Sequence, residues 1–134
     1  MPIIVELLNE ATYQDQQDLQ KIYRDAPDWL FAPFSGDMQL IEGCLRDGSL
    51  IAGRFNDRLL GAARLQRHPG VWHLSQLCVR KITRRRGVAE RLVNEAQKMA
   101  AQSGAVLHLL APAGHLEVKA LAAKLKVALD ELPV

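Results

Sequence analysis

Residues 80–86 hold Arg80, Lys81, Arg84, Arg85 and Arg86, five cations in seven positions, and Gly87 follows at once. A helix-forming run beginning Val88-Ala89-Glu90 comes next. Guanidinium groups offer fork-shaped donors that match phosphate oxygens. The first amides of a helix lack intrahelical acceptors and carry the positive end of its dipole, so that position attracts phosphate. Gly87 removes a side chain where a ligand would approach the backbone, and Ala89 keeps the next position small. Together these residues describe a pyrophosphate cradle at a helix start. The stretch is neither a G-x-x-x-x-G-K-[ST] loop nor a G-x-G-x-x-G loop followed by an acid about 20 positions later, so the nucleoside triphosphate and dinucleotide readings have no motif here. The competing reading is a solvated basic run. Placement after a strand and at a glycine-marked helix start favours the cradle.

Other reactive side chains are sparse. Cys44 and Cys78 are too few and too unpatterned for a disulfide framework or a metal site and read as reduced and buried. The four histidines, His68, His73, His108 and His115, show no i, i+4 spacing and no neighbouring cysteine, so no metal site is expected. Cys78 lies on the strand leading into the basic loop, which favours a backbone role over thiol chemistry. Tyr13 and Tyr23 both fall near the N-terminus, and no Phe, Trp or Tyr follows Trp72. Glu117, Asp130 and Glu131 share an amphipathic stretch with Lys119, Lys124 and Lys126 and read as salt partners rather than catalytic bases.

Composition bounds the class. A chain of 134 residues suits one domain, 1–134, able to bury about two thirds of its unfolded surface. Hydrophobic residues at 49% and charged residues at 24% fit a soluble globular protein. The lack of an apolar run of about 18 residues or of a signal pattern leads to an expected cytoplasmic location without membrane contact. The net charge of +2 is uneven: removing the five loop cations from 17 leaves 12 against 15 acids, or −3 elsewhere. The anion this protein meets is therefore local. Aromatics at 5% and the acidic remainder argue against nucleic-acid binding through the cluster.

The elements that must position the cradle follow from patterning. Residues 2–8 read as a strand, and residues 12–23 as a helix capped by Thr12 with Leu19, Ile22 and Tyr23 on its apolar face. Residues 24–37, broken by Pro27, Pro33 and Gly36, read as a loop packing Trp29, Phe31 and Phe34. A short helix ends at Gly48. Strands at 49–55 and 58–66 flank an Asn56-Asp57 turn, and a third strand covers 71–79. The long helix from about Gly87 to Gln102 presents Val88, Leu92, Ala96 and Met99 on one face. Residues 105–111 form a continuously apolar strand of the kind buried on both faces. Residues 115–132 read as a closing helix. The strand, basic loop, helix, strand order is a right-handed βαβ unit, so the fold class is α+β or mixed α/β in one domain.

Arg84-x-x-Gly87-x-Ala89 after the strand Ser75-Gln76-Leu77-Cys78-Val79 resembles the acetyl-CoA signature of the GNAT acetyltransferase superfamily. Residues 15–23, 54–65 and 77–93 narrow the resemblance to the PanZ (PanM) family within it. The resemblance implies a central, mostly antiparallel sheet with one parallel βαβ unit, helices on both faces, and truncation at the C-terminal strand pair. It implies acetyl-CoA or CoA as ligand, with the pantetheine beside Leu77, Cys78 and Val79. The pyrophosphate would lie among Thr83, Arg84, Arg85, Arg86, Gly87, Val88, Ala89 and Glu90. It further implies docking on the aspartate 1-decarboxylase precursor, promoting its maturation and regulating pantothenate synthesis, with Arg54, Asn56 and Arg80 as contact candidates. The alternative is a small N-acetyltransferase acting on an amine. No catalytic residue is assigned.

Overall fold

A computed structural model describes residues 2–84 and 86–132. Its backbone is one six-stranded sheet in sequential order: β1 (Ile4–Leu7), β2 (Leu50–Phe55), β3 (Arg58–Arg67), β4 (Val71–Val79), β5 (Val106–Pro112) and β6 (Ala128–Leu132). The first four strands form an antiparallel meander, and β4–β5 and β5–β6 run parallel. Helices α1 (Tyr13–Arg24) and α2 (Asp37–Asp47) cover one face; α3 (Val88–Gln102) and α4 (Leu116–Leu125) cover the other. The expected α+β architecture is present.

Local chemistry explains most boundaries. Thr12 accepts from the Asp15 amide at 3.0 Å while Asp15 accepts from the Thr12 amide, a reciprocal capping box that starts α1. Gly48, at φ +73°, closes α2 in the left-handed conformation that glycine adopts at low cost. Asn56 and Asp57 both take positive φ, which sets the tight turn matching the twist of β2 and β3.

Helix α3 is held by its apolar stripe: Val88, Leu92, Val93, Ala96 and Ala100 are buried against β2–β5. Full burial of Leu92 and Val93 stabilises the fold by about 1.5–3 kcal/mol each. The helix can approach this closely because β3 carries Gly61 beneath it. A Cβ there would sit 2.8 Å from Val88 Cγ1 and 3.3 Å from the Cys78 carbonyl. Gly61 therefore sets the height of the α3 N-terminus above the sheet.

Two expectations are corrected. The closing helix stops at Leu125, where Lys126 turns into the left-handed region, and residues 128–132 become β6. Hydrogen bonding along the open edge of β5 outweighs the helical propensity of this Ala/Leu/Lys segment. Among the described residues one strand follows α4, rather than a pair. Strand β5 is buried on one face only: Leu107, Leu109 and Ala111 pack inward while His108 and Leu110 are half-exposed. Helices α1 and α2 lie over β2 and β3 and do not cover that face of β5 and β6.

Candidate cofactor-binding site

At the α3 start, Gly87 is the N-cap at φ +82° and ψ 10°, and a Cβ built there meets nothing within 4 Å. Gly87 has no side chain with which to cap the helix, and none caps it among the described residues. The helical ladder begins with the Arg91 amide donating to the Gly87 carbonyl at 3.0 Å, which leaves the first-turn amides of Val88, Ala89 and Glu90 without a side-chain acceptor among the described residues. Residues 81–83 make a short 3₁₀ turn held by the Thr83 amide and hydroxyl, both donating to the Arg80 carbonyl at 2.9 Å. The Arg80 amide in turn donates to the Leu60 carbonyl at 2.8 Å, anchoring the loop to β3. Arg84 and Arg86 are exposed beside Gly87. Helix-start amides with guanidinium groups beside them have the chemistry that suits phosphate oxygens.

Beside the α3 start, the sheet opens. The β4–β5 register pairs Val71–Leu74 with Val106–Leu109 and stops there, although β4 continues to Val79 and β5 to Pro112. The β3–β4 register shifts between Ala62 and Arg64, and Gln76 takes φ +50° at that point. This bulge turns β4 away from β5. Three bonds hold it: the Tyr23 hydroxyl donates to the Gln76 carbonyl at 2.8 Å, the Gln76 amide nitrogen Nε2 donates to the Ala32 carbonyl at 2.7 Å, and the Ser75 hydroxyl donates to Gln76 Oε1 at 2.6 Å. The facing edges of Ser75–Val79 and Leu110–Pro112 are then free to hydrogen-bond an extended ligand.

A cleft of about 350 Å³ lies in this opening, floored by Arg64, Ser75 and Leu110 and roofed by Trp29, Ala32 and Pro33. The aromatic loop is packed, as expected. Leu30 is buried, Phe31 lies 6.3 Å from Tyr23, and Phe34 lies under the Arg64 guanidinium. Trp29 stacks on His115 at 3.8 Å, which joins the loop to the start of α4. The residues lining the cleft include no carboxylate, histidine, tyrosine or cysteine.

The described cofactor-binding positions expected from the sequence run along the end of β4 and the start of α3, with different roles by atom. Leu77 and Val79 are half-buried on β4, and Cys78 is buried with its thiol donating to the Ile22 carbonyl at 3.2 Å. Burial pushes the Cys78 thiol up, against a lowering influence from Arg84, so it is a poor nucleophile. Val88 is 1% exposed with its side chain in the core, so only its backbone faces a ligand. Glu90 pairs with Lys124 of α4. Thr83 and Ala89 are half-buried, and Arg85 lies outside the described residues.

Asn56 is exposed at the β2–β3 turn and Arg80 half-buried at the end of β4. Arg54 is internally engaged, donating to Glu6 at 2.9 Å, to Asp15 at 2.9 Å and to the Asp57 carbonyl at 3.2 Å. Sequence reasoning missed Gln76 and Tyr23, the residues that shape the opening. Neither type signals a bulge.

The mixed sheet, the splayed β4–β5 pair and the helix start beside it define a GNAT domain. Solved structures share this fold: the PaiA N-acetyltransferase of Thermoplasma acidophilum in complex with coenzyme A is 15% identical, with a TM-score of 0.65 over 92% of this chain and 88% of that one. The N-acetylglutamate synthase of Neisseria gonorrhoeae, complexed with coenzyme A and N-acetyl-glutamate, is 16% identical with a TM-score of 0.68 over 92% of this chain and 28% of that one. Residues 2–128 match the family described as acetyltransferase (GNAT) domain, PanZ, and the chain belongs to that family. The PanD regulatory factors of Salmonella typhimurium (strain LT2) and Escherichia coli (strain K12) are 38% and 35% identical over 95 residues. The match spans 71% of this chain and 66% of the length of each of those relatives.

Proposed function

We propose that this protein binds acetyl-CoA and, so loaded, docks on the aspartate 1-decarboxylase precursor to promote its maturation and regulate pantothenate synthesis. The observation that carries the reading is the splay of β4 from β5 beside the glycine-capped α3 start. Backbone at Leu77 and Val79 would hold the pantetheine arm. The amides of Gly87 to Glu90, with Arg84 and Arg86, would hold the pyrophosphate. The ligand supplies an acetyl thioester, and the cleft that would receive its end offers amides, a hydroxyl and a guanidinium but no acid–base side chain. That lining suits sensing of the thioester better than its transfer to an amine. Asn56 and Arg80 are the proposed partner contacts, and Arg54 supports them by fixing the turn that carries Asn56.

The test is self-cleavage of the precursor followed by gel electrophoresis, with the protein, with acetyl-CoA, and with both. Cleavage accelerated only by the pair, with acetyl-CoA unconsumed, is the expected result. Accumulation of free CoA with an amine acceptor and an unchanged precursor would favour the acetyltransferase reading instead.

A further inference from the structure

On the sheet face beyond the cover of α1 and α2, Asp130 Oδ2 lies 2.7 Å from His73 Nε2 and 2.9 Å from His108 Nδ1. The parallel register sets His73 of β4 opposite His108 of β5, and Asp130 of β6 opposite Leu110, two positions along β5 on the same face. The intervening residues Trp72, Leu74, Leu107 and Leu109 point into the α3 core, so the two imidazoles face away from it. They are half-buried, with side-chain exposures of 22% and 26%, while Asp130 is 46% exposed. The three ligating atoms lie within 4.8 Å of one another.

We propose that His73, His108 and Asp130 form a binding site for a divalent first-row transition ion of the zinc type, with water completing the shell. Two imidazoles and one carboxylate are the donor set such ions take, and three protein ligands leave one position open. Bonds of about 2.0–2.1 Å place neighbouring ligand atoms about 3.4 Å apart in a tetrahedral shell. Each imidazole is now closer than that to the carboxylate oxygen, so the half-exposed carboxylate must retreat by roughly 0.5–0.7 Å while the two ring nitrogens, within 4.8 Å of each other, settle to the same spacing. The ion would take the place of the histidine–carboxylate hydrogen bonds, each neutral ring ligating through the facing nitrogen and carrying its N–H on the other. It would tie β6 to β4 across β5 and fix the strand whose Leu132 lines the cleft.

The test uses the untagged full chain after chelator treatment. Calorimetry with Zn²⁺ and visible absorption with Co²⁺ should show one saturable equivalent and the intense bands of a low-coordinate Co²⁺ site. His73→Ala, His108→Ala and Asp130→Asn should each weaken uptake by more than about tenfold, and His115→Ala should not. In the unmutated chain, Zn²⁺ should shift the ring resonances of His73 and His108 and leave those of His115 in place, a readout that does not depend on variant folding. Absence of saturable uptake, uptake undiminished in Asp130→Asn, or shifts centred on other histidines would overturn the proposal.

Discussion

The Tyr23 hydroxyl donates to the Gln76 carbonyl at 2.8 Å across 53 residues of sequence, joining α1 to the bulge that opens the sheet. Tyr23 is fully buried, and burial holds its phenol well above the ordinary value, so it acts as a neutral donor and not as an acid. A side chain from α1 thus supports the backbone conformation that separates β4 from β5. Removing the hydroxyl with Tyr23→Phe leaves a carbonyl of the bulge unpaired and should cost about 1 kcal/mol in urea unfolding. Acetyl-CoA affinity should fall with it, because Gln76 at φ +50° loses one of its restraints. Unchanged stability and affinity would show that the bulge stands without Tyr23.

Gly61 tests how the cradle is positioned. A methyl group there meets Val88 Cγ1 at 2.8 Å and the Cys78 carbonyl at 3.3 Å, so α3 must lift at its first turn. Gly61→Ala should destabilise the fold by about 1–3 kcal/mol and weaken acetyl-CoA binding, although the residue touches no ligand in the proposed arrangement. Denaturant titration and calorimetry on the same preparation separate the two effects. Lost stability with retained affinity would mean that the height of α3 does not govern the cradle.

Two buried aspartates predict acid sensitivity. Hydrogen bonding from Arg54 holds the Asp15 carboxyl below its ordinary 3.8. For Asp18, burial pushes the carboxyl up, but bonds from Arg58, the Leu59 amide and Gln14 outweigh it and hold it below 3.8 as well. A folded value below the unfolded one gives stability that is present above the unfolded value and lost as pH falls through the folded one. Arg54→Met should lower stability at neutral pH by roughly 1.5–3 kcal/mol, and its deficit should narrow as the pH falls below about 4. Urea unfolding from about pH 7 to about pH 3 measures this. Parallel profiles for the two proteins would contradict the assignment.

Legibility in the sequence followed the range of the interaction. The Thr12 cap, the Gly48 stop, the Asn56-Asp57 turn and the apolar stripe of α3 are local, and each stands where residue type alone placed it. The elements of the proposed cradle were legible for the same reason: they are a strand end, a basic turn, a glycine and a helix start in continuous order. Gln76 carries no turn signal, and its positive φ comes from contacts with Tyr23 and Ala32, both distant in sequence. The 128–132 segment has helix-forming composition, and only the unpaired edge of β5 makes it a strand. His73 and His108 meet through the β4–β5 register, which the spacing of histidines along the chain does not encode.

The most direct measurement of the central claim is calorimetric titration of acetyl-CoA into the wild-type protein and into Gly87→Val. The account predicts one-site binding to the wild type. It predicts a loss of more than about tenfold in the variant, whose new side chain enters the open space where the pyrophosphate would lie. The accompanying stability cost should stay near 1–2 kcal/mol, the strain of a non-glycine residue at φ +82°. No binding to the wild type, or wild-type affinity in the variant, would contradict the account and return the arginines to a solvated loop.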